Sequence, residues 1–276
     1  MLRSLYSGIS GMKGFQTKLD VIGNNIANVN TVGFKGSRVM FQDILSQTIS
    51  GVSAPTDESG GVNPQQVGLG VEIAAIDTIH TGGSAMTTGQ VTDLRINGDG
   101  FFAVSSDVDG ENSYLTRAGN FTVDANRYLV NADGMFVLGA DGAPIQLDDD
   151  INAFTISQNG QFVVINADGT NEVREDLAIG VARVTNPGGL EKVGGSLYRL
   201  TPNAEMDAES VLDIIGAAGD EELGTGTIIS GQLEMSNVDL TSEFTEMIVA
   251  QRGFQSNSRI ITTSDEILQE IVNLKR

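Results

Sequence analysis

One histidine, His80, and 36 carboxylates are the residues here from which catalysis could be built; there is no cysteine and no tryptophan. Without cysteine, disulfides, thiolate metal sites and thiol nucleophiles are excluded, and a single imidazole leaves little room for His-based zinc or triad chemistry. His80 lies among Thr, Gly and Ser residues with no acid–base partner beside it, and it reads as a surface residue. The Asp-Gly and Asn-Gly pairs invite a calcium reading, which needs oxygen ligands at set places of a loop with Gly sixth and a carboxylate last. Counting back from Gly169 puts Val164 at the first place, and Gly100 puts Arg95 there. The pairs read instead as hairpin turns, where Gly and Asn supply positive φ. Gly68-Leu69-Gly70 lacks the third glycine of a dinucleotide fingerprint, and no phosphate loop or Gly-x-Ser-x-Gly elbow occurs. A glycosidase-type acid pair would want aromatic platforms that a chain without Trp does not offer. No enzyme, metal or cofactor is expected.

Charge narrows the classes further. The net charge is −20, with 16 Lys and Arg in 276 residues, so no surplus of cations exists to neutralise phosphates or to hold the chain to an anionic membrane. Neither nucleic acid nor membrane insertion is expected, since no run of about 18 apolar residues occurs. The first 14 residues hold Gly8, Gly11, Lys13 and Gly14 and no continuous apolar core, so they do not form a cleavable secretory signal. The charge is unevenly placed. Residues 1–40 hold five cations against Asp20 alone, and residues 235–276 hold four against six carboxylates. The middle therefore carries the whole acidic excess, and the near-neutral ends are free to approach other chains.

The ends are helical by pattern. Leu5, Met12, Leu19 and Ile26 recur every seven residues, with Leu2 and Ile9 on the next row and Phe15, Ile22 and Val29 widening the stripe. This predicts a helix from about Leu2 to Val29. Leu240, Met247, Phe254, Ile261 and Leu268 repeat without a break, with Phe244 near the start and Ile260, Ile267 and Leu274 on a second row. A helix of roughly 35 residues follows, with Asp239 or Thr241 as N-cap and Lys275 and Arg276 in its last turn. The stripes suit either a coiled coil between the termini or between copies, or two helices packed on a globular core.

Between the helices the period changes to two. Short strands are expected at 71–76, 94–96, 102–104, 121–123, 128–130, 136–138, 154–156, 162–165 and 179–184, separated by turns such as Asn97-Gly98-Asp99-Gly100 and Asn159-Gly160. Their spacing is that of a compact antiparallel β-domain. Ser46–Gln66 and Ala204–Thr227, rich in small and acidic residues, read as flexible linkers on either side.

Three strings resemble the bacterial flagellar rod and hook axial proteins. The first runs from Leu19 through Asn24, Asn25, Asn28, Thr31, Gly33 and Phe34 to Lys35. The second covers Glu234–Leu240, then Phe244 to Phe254 with Gln251 and Arg252, and continues through Thr262–Gln269. The middle matches more loosely in Asn97–Phe102 and Thr116–Phe121. Within the family the strings look like the hook protein, whereas the length suits the distal rod protein, the second reading; a secreted calcium-binding β module is a third. The resemblance implies a mixed α+β fold whose terminal helices, 1–35 and 236–276, pair as a coiled coil in an inner tube. It implies connectors at 36–75 and 225–235 and an outer β-domain at 76–224. It further implies a homo-polymer that meets distal rod, hook cap and hook–filament junction proteins, and export through the flagellar type III gate without a cleaved signal. Phe41 and Leu45 are similar to the short export signal of such substrates; an amphipathic turn would leave the same pattern.

Overall fold

The computed structural model describes residues 2–55, 60–108, 110, 112–148, 151–166, 171–206, 210–220 and 223–274. The protein is mixed α+β, with a helix near each end and an antiparallel β-rich region between them. It divides into two units. One comprises residues 1–27, 37–78 and 239–276, and the other residues 28–36 and 79–238.

In the first unit, α1 spans Leu2–Ala27 and α2 spans Leu240–Leu274. Asp239 is the N-cap of α2: its carboxylate accepts the Thr241 N–H at 2.9 Å, satisfying one of the helix's orphan donors. Lys275 and Arg276 lie outside the described residues. Two glycines in α1, Gly8 and Gly11, each a weaker helix former than Ala by about 1 kcal/mol, mark where the two helices approach. An added Cβ at Gly11 would lie 2.5 Å from Asn257 Nδ2, and one at Gly8 would lie 3.6 Å from the Asn257 carbonyl oxygen. Reciprocally, Gly253 of α2 receives the Phe15 ring. The close face of α2 is a seven-residue seam in which Ala250, Asn257 and Ser264 alternate with Met247, Phe254, Ile261 and Leu268; Ala250 and Ser264 are its buried members. The pattern of apolar residues had shown only one of these two rows.

Four strands complete this unit: β1 Ser37–Asp43, β2 Ser46–Ser50, β3 Gln65–Gly68 and β4 Val71–Thr78. β1 pairs with β4 from Ser37↔Thr78 to Asp43↔Val71, with a bulge at Met40/Phe41, and β2 pairs with β3. Phe41 thus lies in a strand rather than a turn, its ring 5.8 Å from that of Phe15 and packed on Gly14, while Leu45 is exposed. The stretch expected as a linker from Ser46 is a hairpin at its described ends.

The second unit is built on a nine-stranded antiparallel sheet. Its main path runs 191–194, 197–199, 113–116, 101–105, 136–137, 129–130, 122–123, and strand 180–182 joins 101–105 to 215–217. Strands 151–156, 161–166 and 171–178 form a separate meander, 227–230 pairs with 94–97, and 232–234 with 85–87. The nine short strands expected are present, several trimmed at their ends. The turns use glycine as anticipated, with φ of 116° at Gly98 and 77° at Gly160; Asp168-Gly169 lies outside the described residues. The core is aliphatic and phenylalanine-rich: Leu94, Phe102, Leu129, Phe162, Ile179 and Ile228 are buried together. The second expected linker holds a 3₁₀ turn at Val211–Ile214, capped by Ser210, and a strand at Ile215–Ala217.

Candidate functional site

Among the described residues no three or more His, Asp or Glu side chains gather as a metal would require, and no helix is long and apolar enough to cross a membrane. What the structure does assemble is a buried ionic cluster in the second unit and an uncovered helix surface in the first.

The cluster joins three distant parts of the chain. Glu234 Oε1 accepts Lys35 Nζ at 2.6 Å and the Gly83 N–H at 2.9 Å, while its Oε2 lies 3.3 Å from Arg117 Nη1. Lys35 also donates to the Thr81 carbonyl at 2.8 Å, and Arg117 to the Gly98 carbonyl at 3.0 Å. Lys35, Glu234 and Arg117 are all buried. Burial by itself would raise the Glu234 carboxyl, but the Lys35 hydrogen bond, the Arg117 charge and the Gly83 N–H hold it below the usual carboxylate range. Around this centre the Lys192 ammonium sits 5.1 Å over the Phe34 ring and donates to the Lys35 carbonyl, and Arg117 stacks over Phe101.

The resembling strings owe their residue types to this geometry. Gly33 has φ +67° and stands against the Arg117–Ala118 backbone, its N–H donating to the Glu234 carbonyl at 2.8 Å. Asn237 accepts the Gly36 N–H and donates to the Ile79 carbonyl, both at 2.8 Å. In the first unit, buried Asn25 clasps both the N–H and the carbonyl of Ser37 and donates to Glu243 Oε1 at 3.0 Å. Asn28 and Thr31 form the turn that stops α1 at Ala27, short of the expected Val29. Lys35, Arg117 and Glu234 were absent from the candidate residues read in the sequence. The available signal was a cation in each of two matched strings, Lys35 and Arg117, and a carboxylate, Glu234, opening the third.

His80 is not the surface residue expected. It is half-buried, its ring 5.7 Å from Phe101 and 5.5 Å from Tyr198, and its Nδ1 is buried without a hydrogen-bond partner. Burial, then the charges of Lys35, Lys192 and Arg117, push its pKa down to about 4. The unfolded chain binds this proton near pH 6.5 and the folded one only near pH 4, so stability is complete above pH 6.5 and falls between the two values. We expect the wild-type chain to lose about 2 kcal/mol across that window relative to His80→Gln, after allowance for the ring's partial exposure. Paired melts at pH 7.5 and pH 4.5 read it; parallel losses in the two chains would refute the assignment.

The assembly residues read from the heptads divide in the structure. On α1, Ile22 is buried, Leu5, Met12, Leu19 and Ile26 are half-buried and Ile9 is exposed; on α2, Met247, Ile261 and Leu268 are half-buried while Leu240, Phe244 and Phe254 are exposed. Asn24 is exposed, Phe34 half-buried, and Gln251 and Arg252 lie on the exposed face of α2. Only Ala250 and Ser264 are buried in the 35 residues of that helix, and Ile248, Val249, Ile260, Ile267 and Ile271 lie open. Exposed apolar side chains thus recur along the length of α2.

Comparison with known proteins matches all three regions. The family described as flagella basal body rod protein covers residues 5–35, the flagellar hook protein FlgE/F/G D1 domain covers 95–164, and the flagellar basal body rod FlgEFG protein C-terminal family covers 229–274. The chain is 54% identical to the flagellar basal-body rod protein FlgG of Bacillus subtilis over 276 residues, the whole of both chains. It is 40% identical to the protein of that name in Borreliella burgdorferi, again over the whole of both. The flagellar hook protein FlgE of the latter organism is 32% identical over 455 aligned positions spanning both chains.

Proposed function

Because this chain belongs to the bacterial flagellar rod and hook protein family, a family of structural components of the flagellum, we propose that it is a rod subunit whose copies polymerise through the helical unit. The rod, second choice on sequence strings alone, is favoured over the hook by length and identity. The similar rod proteins align end to end with this chain, whereas more than a third of the positions aligned with the hook protein have no counterpart in it. In this reading α1 and α2 act as a coiled coil in an inner tube, segments 36–75 and 225–235 connect, and residues 76–224 form the outer domain. The partners are further copies, the adjoining axial proteins (hook, hook cap and junction proteins among them) and the type III export gate. Phe41 and Leu45 would serve export before folding.

The observation that carries the proposal is the uncovered apolar surface of α2, which a lone chain leaves in water. Burying a large aliphatic side chain contributes about 1.5–3 kcal/mol, so Ile260→Ser with Ile267→Ser should raise the concentration needed for assembly by more than about 100-fold. Electron microscopy of the full-length chain salted out at high concentration tests this. We expect straight tubular polymers from wild type and monomers of unchanged helicity from the double variant. Curved tubes would return the hook reading, and a wild-type chain that stays monomeric would remove the polymer reading altogether.

A further inference from the structure

The face of α2 turned away from α1 carries an ordered run of charge. Ile248, Gln251, Arg252, Gln255, Ser256 and Arg259 line one open groove along the helix, at the three- and four-residue spacing that keeps side chains on one face. This face lies about half a turn round the helix from the Ala250–Asn257–Ser264 seam. Glu266 and Glu270 continue it toward the C-terminal end, so that positions 252, 259 and 266, seven apart, read plus, plus, minus. All four charged residues are exposed, and among the described residues none of them is in an ion pair.

We infer that this stripe is a contact between copies, in which Arg252 and Arg259 of one chain meet Glu266 and Glu270 of the next. The inference rests on the polymer reading above. The occupant is a second copy because the stripe is complementary to itself once shifted, and because a chain of net charge −20 meets other copies against general repulsion, which local cation–carboxylate pairs counter. The shift is set by what it must avoid. Sliding parallel helices by seven residues puts Arg252 against Arg259. Sliding them by about fourteen residues, or about 21 Å at 1.5 Å per residue, puts Arg252 against Glu266 and sets Glu270 between the two arginines. Such a head-to-tail contact does not close on itself and propagates as an open helical assembly, whereas an antiparallel pairing would stop at a dimer.

Charge exchange tests it. Arg252→Glu and Glu266→Arg, each alone, should raise the critical assembly concentration by at least about tenfold, with unchanged circular dichroism because both side chains are exposed. The double variant Arg252→Glu, Glu266→Arg should return to within about threefold of wild type. Residues 252 and 266 are about 21 Å apart on one helix, so pairing within a chain cannot produce that recovery. Single variants within about twofold of wild type, a double variant no better than the singles, or sedimentation of wild type as discrete dimers would each overturn the contact. A wild type that polymerises while both singles do so equally well overturns the contact and leaves the polymer reading standing; a wild type that never polymerises removes both.

Discussion

Glu234→Ala should lower the melting temperature of the β-rich unit by about 10 °C. Among the described residues the carboxylate is the only anion paired with the two buried cations, Lys35 at 2.6 Å and Arg117 at 3.3 Å. Its removal leaves both charged and dry, together with the Gly83 N–H it now accepts. Breaking a buried ion pair from one side costs about 3–5 kcal/mol, and each kcal/mol shifts a unit of this size by roughly 2–4 °C. The change should also alter the pH response. Because Glu234 is held below its ordinary value of 4.5, its stabilisation is complete above pH 4.5 and fades as pH falls through the lower folded value. The variant should therefore converge with wild type in strong acid. A melting change under about 2 °C at neutral pH would mean that the cluster is hydrated and cheap to break.

Gly33→Ala should be nearly as damaging, for a reason unrelated to charge. The residue has φ +67°, a conformation costing a side-chain-bearing residue about 1–2 kcal/mol. A methyl group there would also stand 2.5 Å from Ala118 N and 2.7 Å from Arg117 C. Those atoms are backbone and cannot swing aside, and they carry the arginine that meets Glu234. A loss of about 3 kcal/mol or more is expected. Gly23→Ala gives the contrast: it lies in the interior of α1 with nothing within 4 Å of the added carbon, so the helix should gain up to about 1 kcal/mol. Chemical denaturation of the three chains ranks them, and a Gly33 variant as stable as wild type would sink the steric account.

The same residues show what a sequence discloses. The helices, the short strands and the glycine turns were legible because each is a local pattern with its own period. The close face of α2 was half visible: its apolar row repeats by seven, but the alternate row of Ala250, Asn257 and Ser264 has no hydropathy to read. It is recognised only beside the small residues of α1. His80 was misjudged because its sequence neighbours are small and polar, while the rings that enclose it, Phe101 and Tyr198, are brought in by distant strands. The ionic cluster escaped for the same cause, since no local period connects positions 35, 117 and 234.

That separation has a kinetic side. Lys35 and Glu234 are 199 positions apart, and contacts of such span form late because the intervening loop must first be closed. A chain of which only the leading part is free to fold would hold Lys35 and Arg117 with no counter-charge, in a pocket that cannot dry around them. Native packing around the ionic cluster must therefore wait until nearly the whole polypeptide is present. Lys35, near the start of the chain, is thus among the last residues to be fixed.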